Sequence, residues 1–277
     1  MSEADLPAWS EAFAGDRLIG VRPLRLPTPL TRSDAWGPGT GAGVKVAVID
    51  SGIDGSHPLV GGVAGGVVVE PDPDARDGIA FLEGAHEDLY GHGTACAAII
   101  RSLAPECELY SVRVLGTSLR GRSGIFAAGL RWAIEHGMNV VNLSLSTRSR
   151  IHIELFYELV DQAAFANVML VSAVNNVPAP SYPSQFAGVF SVAAYPGRDP
   201  EHFVVNPHPP VEFGAPGVDL EVAWLDGGSI VGTGNSFAAP HIAGHVARIV
   251  GHHPGVTPAE VKTVLRALAD NSEPVVG

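Results

Sequence analysis

Short apolar runs alternate with longer, mixed stretches along this chain. Residues 44–49, 109–115, 140–145, 168–173 and 189–194 are dense in Val, Ile, Leu and Ala, and each has the length of a strand apolar on both faces. Between them, 124–137 carries Phe126, Leu130, Trp132 and Ile134 and stops near Gly137, and 152–166 follows as a second helix. A helix over 236–250 comes late, with Pro240 expected in its first turn. A last helix opens at Thr257-Pro258-Ala259-Glu260, a capping box with proline at the first helical position. This alternation predicts an α/β fold, a mostly parallel central sheet with helices on both faces. Residues 61–90 read as acidic loop with one strand near 78–82. Residues 1–40, rich in Pro and Gly, read as an extended arm packed on the domain, and 41–277 as a single domain without repeats or a dividing linker.

Composition narrows the class. Hydrophobic residues make up 46% and charged residues 17% of the 277, a globular and not a disordered balance. A net charge of -12 argues against nucleic-acid or anionic-membrane partners, and no apolar run approaches the roughly 20 residues of a membrane span. Met1-Ser2-Glu3-Ala4-Asp5 is acidic, with no apolar stretch behind it, so no secretory signal is expected. The two cysteines, Cys96 and Cys107, are no disulfide framework and point to a reducing, cytoplasmic setting. Asp72, Asp74 and Asp77 lack the remaining ligands of a calcium loop, so no metal or other cofactor is expected.

Three polar residues stand where chemistry is favoured. Asp50 leaves the first strand at its carboxyl end, where open α/β sheets bind ligands. His92 lies between glycines at the start of an Ala/Ile-rich helical run. Ser236 sits between Gly234 and a run that starts a helix, where unpaired amides stabilise an attacking oxygen and a developing oxyanion. Taken singly, each is as well explained as a capping or structural residue.

Their order, Asp…His…Ser, and their local sequences resemble the subtilisin family of serine proteases. The resemblance rests on Val46-Ala47-Val48-Ile49-Asp50-Ser51-Gly52, Gly91-His92-Gly93-Thr94 and Gly234-Asn235-Ser236-Phe237-Ala238-Ala239-Pro240-His241, and it runs from about residue 43 to the last helix. It implies a subtilisin-like three-layer fold. It also implies an endopeptidase in which Ser236 attacks, His92 is the base and Asp50 orients it. Asn175 would be the side-chain donor of the oxyanion hole, with Asn176 in its place if the register shifts by one. The substrate, a peptide or protein chain, would lie extended between Arg120-Gly121-Arg122 and Ser144-Leu145-Ser146.

Four departures from the family pattern shape the expectation. Val174 replaces a glycine beside the oxyanion asparagine, and Asn235 replaces the threonine before the nucleophile. Ser146 and Thr147 replace a glycine pair, which should narrow the pocket for the residue before the cut. The insertion that carries a calcium site in secreted relatives is absent. Selective intracellular processing, such as leader-peptide removal from a ribosomal natural product, is therefore expected. Residues 101–150 hold seven Arg and three Glu, 7 − 3 = +4 in a chain of -12, which suggests an acidic substrate. The competing readings are a catalytically silent peptide-binding module and a metallo-hydrolase using His241 and His245, four residues apart on one helix.

Overall fold

The structure, a computed structural model, describes residues 27, 29–84 and 86–272. Its strands are β1 (Lys45–Asp50), β2 (Gly65–Pro71), β3 (Ile79–Glu83), β4 (Glu108–Arg113), β5 (Val140–Leu143), β6 (Met169–Ala173), β7 (Phe190–Tyr195), β8 (Val204–Val205), β9 (Phe213–Pro216), β10 (Leu220–Ala223) and β11 (Ser229–Gly232). Its helices are α1 (Arg32–Trp36), α2 (His92–Leu103), α3 (Ser123–Glu135), α4 (Ile153–Phe165), α5 (Asn235–His252) and α6 (Pro258–Leu268). Among the described residues nine strands form one sheet in the order β3-β2-β4-β1-β5-β6-β7-β9-β8, and β10 and β11 make a separate hairpin. β3 and β8 pair antiparallel at the two edges, and the other neighbours are parallel.

The period of two along β1 builds the three layers. Val46 and Val48 face a core shared with α2, α5 and α6, while Ala47 and Ile49 face a second core with α3 and α4. Both faces being covered, the central strands are apolar throughout, as the sequence pattern anticipates. The capping box at α6 is present, with Thr257 N–H donating to Glu260 at 2.8 Å. Because β4 and β5 leave β1 on opposite sides, the carboxyl end of β1 opens onto a crevice, and Asp50 stands there.

Two expectations are corrected. The stretch at 61–90 is not mainly loop: Gly65–Pro71 is β2, with Val67, Val68 and Val69 buried, an apolar core hidden between glycines and acids. The arm is not simply extended, since Arg32–Trp36 is helical and Trp36 is buried with Arg248 stacked 5.0 Å over its ring. Residues 1–26 of the arm lie outside the described residues. Strands at 204–205, 213–216, 220–223 and 229–232 are too short or too polar to stand out by periodicity.

Helices α2 and α5, which begin at His92 and Asn235, pack closely against one another. A methyl group on Gly244 would come within 2.8 Å of Leu103 Cβ and 3.4 Å of Ile100 O. Gly244→Val should therefore force these helices apart at a cost of about 1–3 kcal/mol, read as a lower urea midpoint. An unchanged midpoint would show that the interface has slack.

Candidate active site

Asp50 has no solvent exposure, and an ionised carboxylate there must be paired within the protein. His92 Nδ1 donates to it, at 2.9 Å from Oδ1 and 2.8 Å from Oδ2, and Ser51 N–H donates to Oδ1 at 2.7 Å. Burial disfavours the imidazolium, but the Asp50 charge and hydrogen bond more than offset it. The imidazole is held well above its ordinary pKa.

The glycines around His92 are explained by contact. Gly91 caps α2 at φ 104, and a Cβ on Gly93 would fall 1.9 Å from Gly52 O, so α2 can start this close to the end of β1 only with glycine there. Asp88, which is not among the candidates drawn from the sequence, ties the two segments together. Its buried carboxylate accepts from Ser51 Oγ (2.8 Å), Tyr90 N (2.9 Å), Gly91 N (2.8 Å), Thr94 N (2.9 Å) and Thr94 Oγ1 (2.6 Å). Its one mark in the chain is its position, four residues before the His-Gly-Thr run.

Ser236 lies in the first turn of α5. Pro240 is one turn further in than anticipated, inside the helix, and it leaves the Ser236 carbonyl without its intrahelical donor. That carbonyl is instead met by Ser144 Oγ at 2.9 Å and Cys96 Sγ at 3.6 Å, and Asn142 Nδ2 supports Ser144 Oγ at 2.9 Å. Asn235 fastens the same turn sideways. Its side chain donates to Val174 O and Asn175 O (both 3.1 Å) and accepts from Ala194 N–H (2.8 Å).

The two asparagines differ in their contacts. Asn175 turns its Oδ1 onto Val177 N–H at 3.0 Å, whereas Asn176 Oδ1 accepts Asn235 N–H at 2.9 Å. A Cβ on Gly234 would lie 3.2 Å from Ser236 Oγ and 3.6 Å from Asn176 Nδ2, so the amide of Asn176 flanks the serine loop. Both asparagines line the cleft that holds Ser236, and the amide nearer the serine loop is that of Asn176. Val174 is not a strained substitute for glycine; it simply extends β6, its N–H donating to Val192 O at 3.0 Å.

His92, Ser144, Leu145, Ser146, Asn175, Asn176 and Ser236 line one cleft of about 280 Å³. Among the described residues no hydrogen bond joins Ser236 Oγ to His92, although both face this cleft. Thr147 is drawn away from it by paired backbone hydrogen bonds with Tyr182 (2.9 and 2.8 Å). Arg120, Gly121 and Arg122 line a neighbouring cavity and not the cleft itself.

The subtilase (peptidase S8) family model matches residues 41–276. The chain belongs to the subtilase family. It is 32% identical over 243 residues to subtilisin BL of Lederbergia lenta, covering 83% of this chain and 84% of that protein. It is 31% identical over 234 residues to the thermostable alkaline protease of Halalkalibacterium halodurans, covering 80% of this chain and 61% of that one. A crystal structure of a cold-adapted subtilisin-like serine proteinase superposes with a TM-score of 0.69 at 26% identity, covering 83% of each chain. Fold and family are thus those of a subtilisin-like serine protease. Among the described residues no helix of this subtilase is long and apolar enough to cross a membrane.

Among the described residues no third ligand stands with His241 and His245 to complete a metal site. His241 Nδ1 donates to Phe237 O at 2.9 Å, while His245 Nε2 donates to Pro200 O at 3.2 Å and its ring is wedged between Trp36 and Phe203. Among the described residues the grouping with metal-ligand potential is Asp50, His92 and Cys96, which already engage one another. Burial lowers His241 to about 4 and His245 to about 3, so both are neutral when folded. Below their ordinary value of 6.5 the unfolded chain takes up protons that the folded one refuses. Stability should therefore fall as pH drops from about 6.5 to about 4, by about 1.4 kcal/mol per pH unit for each histidine. His92 acts in the opposite sense, its contribution being complete below its ordinary value and lost as pH rises through the raised one. Urea midpoints across this range check the balance, and His241→Gln should remove about half of the acid loss.

Proposed function

We propose that this subtilase is a serine endopeptidase with Ser236, His92 and Asp50 as nucleophile, base and orienting acid. The observation that carries the reading is the imidazole fixed by a fully buried carboxylate, in one cleft with a serine at a helix start. Ser236 Oγ attacks the scissile carbonyl as His92 Nε2 takes its proton. Asp50 holds the other ring nitrogen protonated and stabilises the imidazolium. His92 then returns the proton to the leaving amine, and water repeats the sequence on the acyl-enzyme. Asn176 Nδ2 and the Ser236 N–H, which has no intrahelical acceptor in the first turn, receive the oxyanion.

Substrate lies extended along Ser144-Leu145-Ser146, whose backbone edge adds a strand to it. Ser146, which lines the cleft, bears a side chain that glycine would lack, and this supports limited processing, such as removal of a leader from a ribosomally made precursor, over general digestion. Two buried free cysteines suit a reducing cytoplasm.

A fluorophosphonate probe should label the wild type and not Ser236→Ala. A folded wild type that stays unlabelled would mark a peptide-binding module instead. Asn176→Ala should lower kcat roughly 10²–10³-fold, the loss known for such a donor in subtilisin, with Asn175→Ala costing only a few-fold. Equal losses would put the asparagine assignment wrong. Because His92 must be neutral to act, its raised pKa places the acid limb of kcat/KM above 6.5, and activity is lost as pH falls through it. Asp50→Asn should shift that limb downward and reduce kcat about 10⁴-fold.

A further inference from the structure

A cavity of about 430 Å³ opens beside the cleft and shares Leu115 with it. Its lining carries three guanidiniums, Arg113 at the end of β4 and Arg120 and Arg122 in the loop before α3, against the single carboxylate of Glu70. The local balance is 3 − 1 = +2. Beneath these charges the lining is apolar, with Val68, Val114 and Ile125 buried. Arg113 is half-buried and donates to Glu87 O at 3.1 Å. Among the described residues none of the three arginines forms an ion pair, whereas Arg32, Arg248 and Lys262 are each held by a carboxylate.

That contrast needs a reason in a chain with 29 acidic and 17 basic residues. Unneutralised guanidiniums above an apolar floor match a ligand with a short aliphatic stem and a carboxylate. The planar fork of each Arg binds such a group bidentately. We propose that this cavity is a subsite for a glutamate or aspartate side chain of the peptide substrate, a few residues from the bond that is cut. Its occupant follows from the peptidase reading. A chain lying extended past Ser144-Leu145-Ser146 advances about 3.3 Å per residue, and Leu115, which lines both cleft and cavity, puts the cavity a few residues along its path. The net charge of -12 repels acidic peptides at a distance but is screened beyond about 8 Å at physiological salt. Discrimination therefore operates at contact and appears in KM.

The test uses the full chain and C-terminally amidated fluorogenic peptides that differ only by Glu or Gln at one position at a time around the cut. At one or two positions Glu should lower KM about tenfold with little change in kcat, as charge-assisted pairing predicts. The exposed pair Arg120→Gln/Arg122→Gln should abolish the preference, and Arg120→Glu/Arg122→Glu should transfer it to Lys peptides. A Gln peptide with a free carboxyl terminus tests whether a chain end can replace the side chain; tighter binding than by the Glu peptides would overturn the side-chain assignment. Absence of Glu preference at every position, or a preference untouched by the variants, sinks the subsite. Anisotropy of fluorescein-labelled Glu and Gln peptides on Ser236→Ala reads the same preference without turnover. If the wild type neither takes the fluorophosphonate nor cleaves any peptide, the peptidase reading has failed, while unequal binding on Ser236→Ala still upholds the subsite.

Discussion

A carboxylate cut off from water has to be satisfied by the protein, and the centre of this molecule is arranged around two of them. Asp50 is answered by His92 and by the next amide in its own chain. Asp88 is answered by five donors drawn from both the end of β1 and the start of α2. Leaving either group unpaired in a site this buried would be strongly destabilising, so the two segments cannot drift apart without loss. The constraint that keeps the imidazole oriented is the one that keeps this part of the fold closed.

The second half of the cleft is held by different means. Helices α2 and α5 approach through small residues, Ala and Gly, so that their starting turns face the same crevice. Asn235 then fixes the serine turn to the ends of β6 and β7 with neutral hydrogen bonds. Phe237 packs 5.4 Å from the His92 ring, covering one side of the imidazole with apolar surface. Charge pairing thus sets the imidazole, and close packing with neutral hydrogen bonding sets the serine turn.

Much of this is legible in the chain because its signals are local. Apolar runs mark β1, β4, β5, β6 and β7, glycines mark close approaches, and a capping box marks α6. What escapes depends on tertiary context. β2 hides its three valines between glycines and an acidic loop, and the short strands after β7 are defined by their partners. Asn175 and Asn176 are indistinguishable in the chain, and only their folded contacts, with Val177 and with Asn235, tell them apart. Asp88 looks like one more acid in a loop because five donors from separate segments leave no periodic trace. Arg113, Arg120 and Arg122 stand out by charge, but only the fold shows that they share a cavity apart from the serine cleft.

Pro240 has a mechanical consequence. A helix is normally stiffest along its own ladder, yet here the ladder is interrupted one turn behind the serine. The Ser236 carbonyl is grasped by side chains from β5's exit and from α2. In stiffness, the serine turn therefore belongs to the sheet and to the neighbouring helix more than to α5. Bending or fraying of the long helix is decoupled from the Ser236 hydroxyl, which moves with the same scaffold that carries the His92 imidazole.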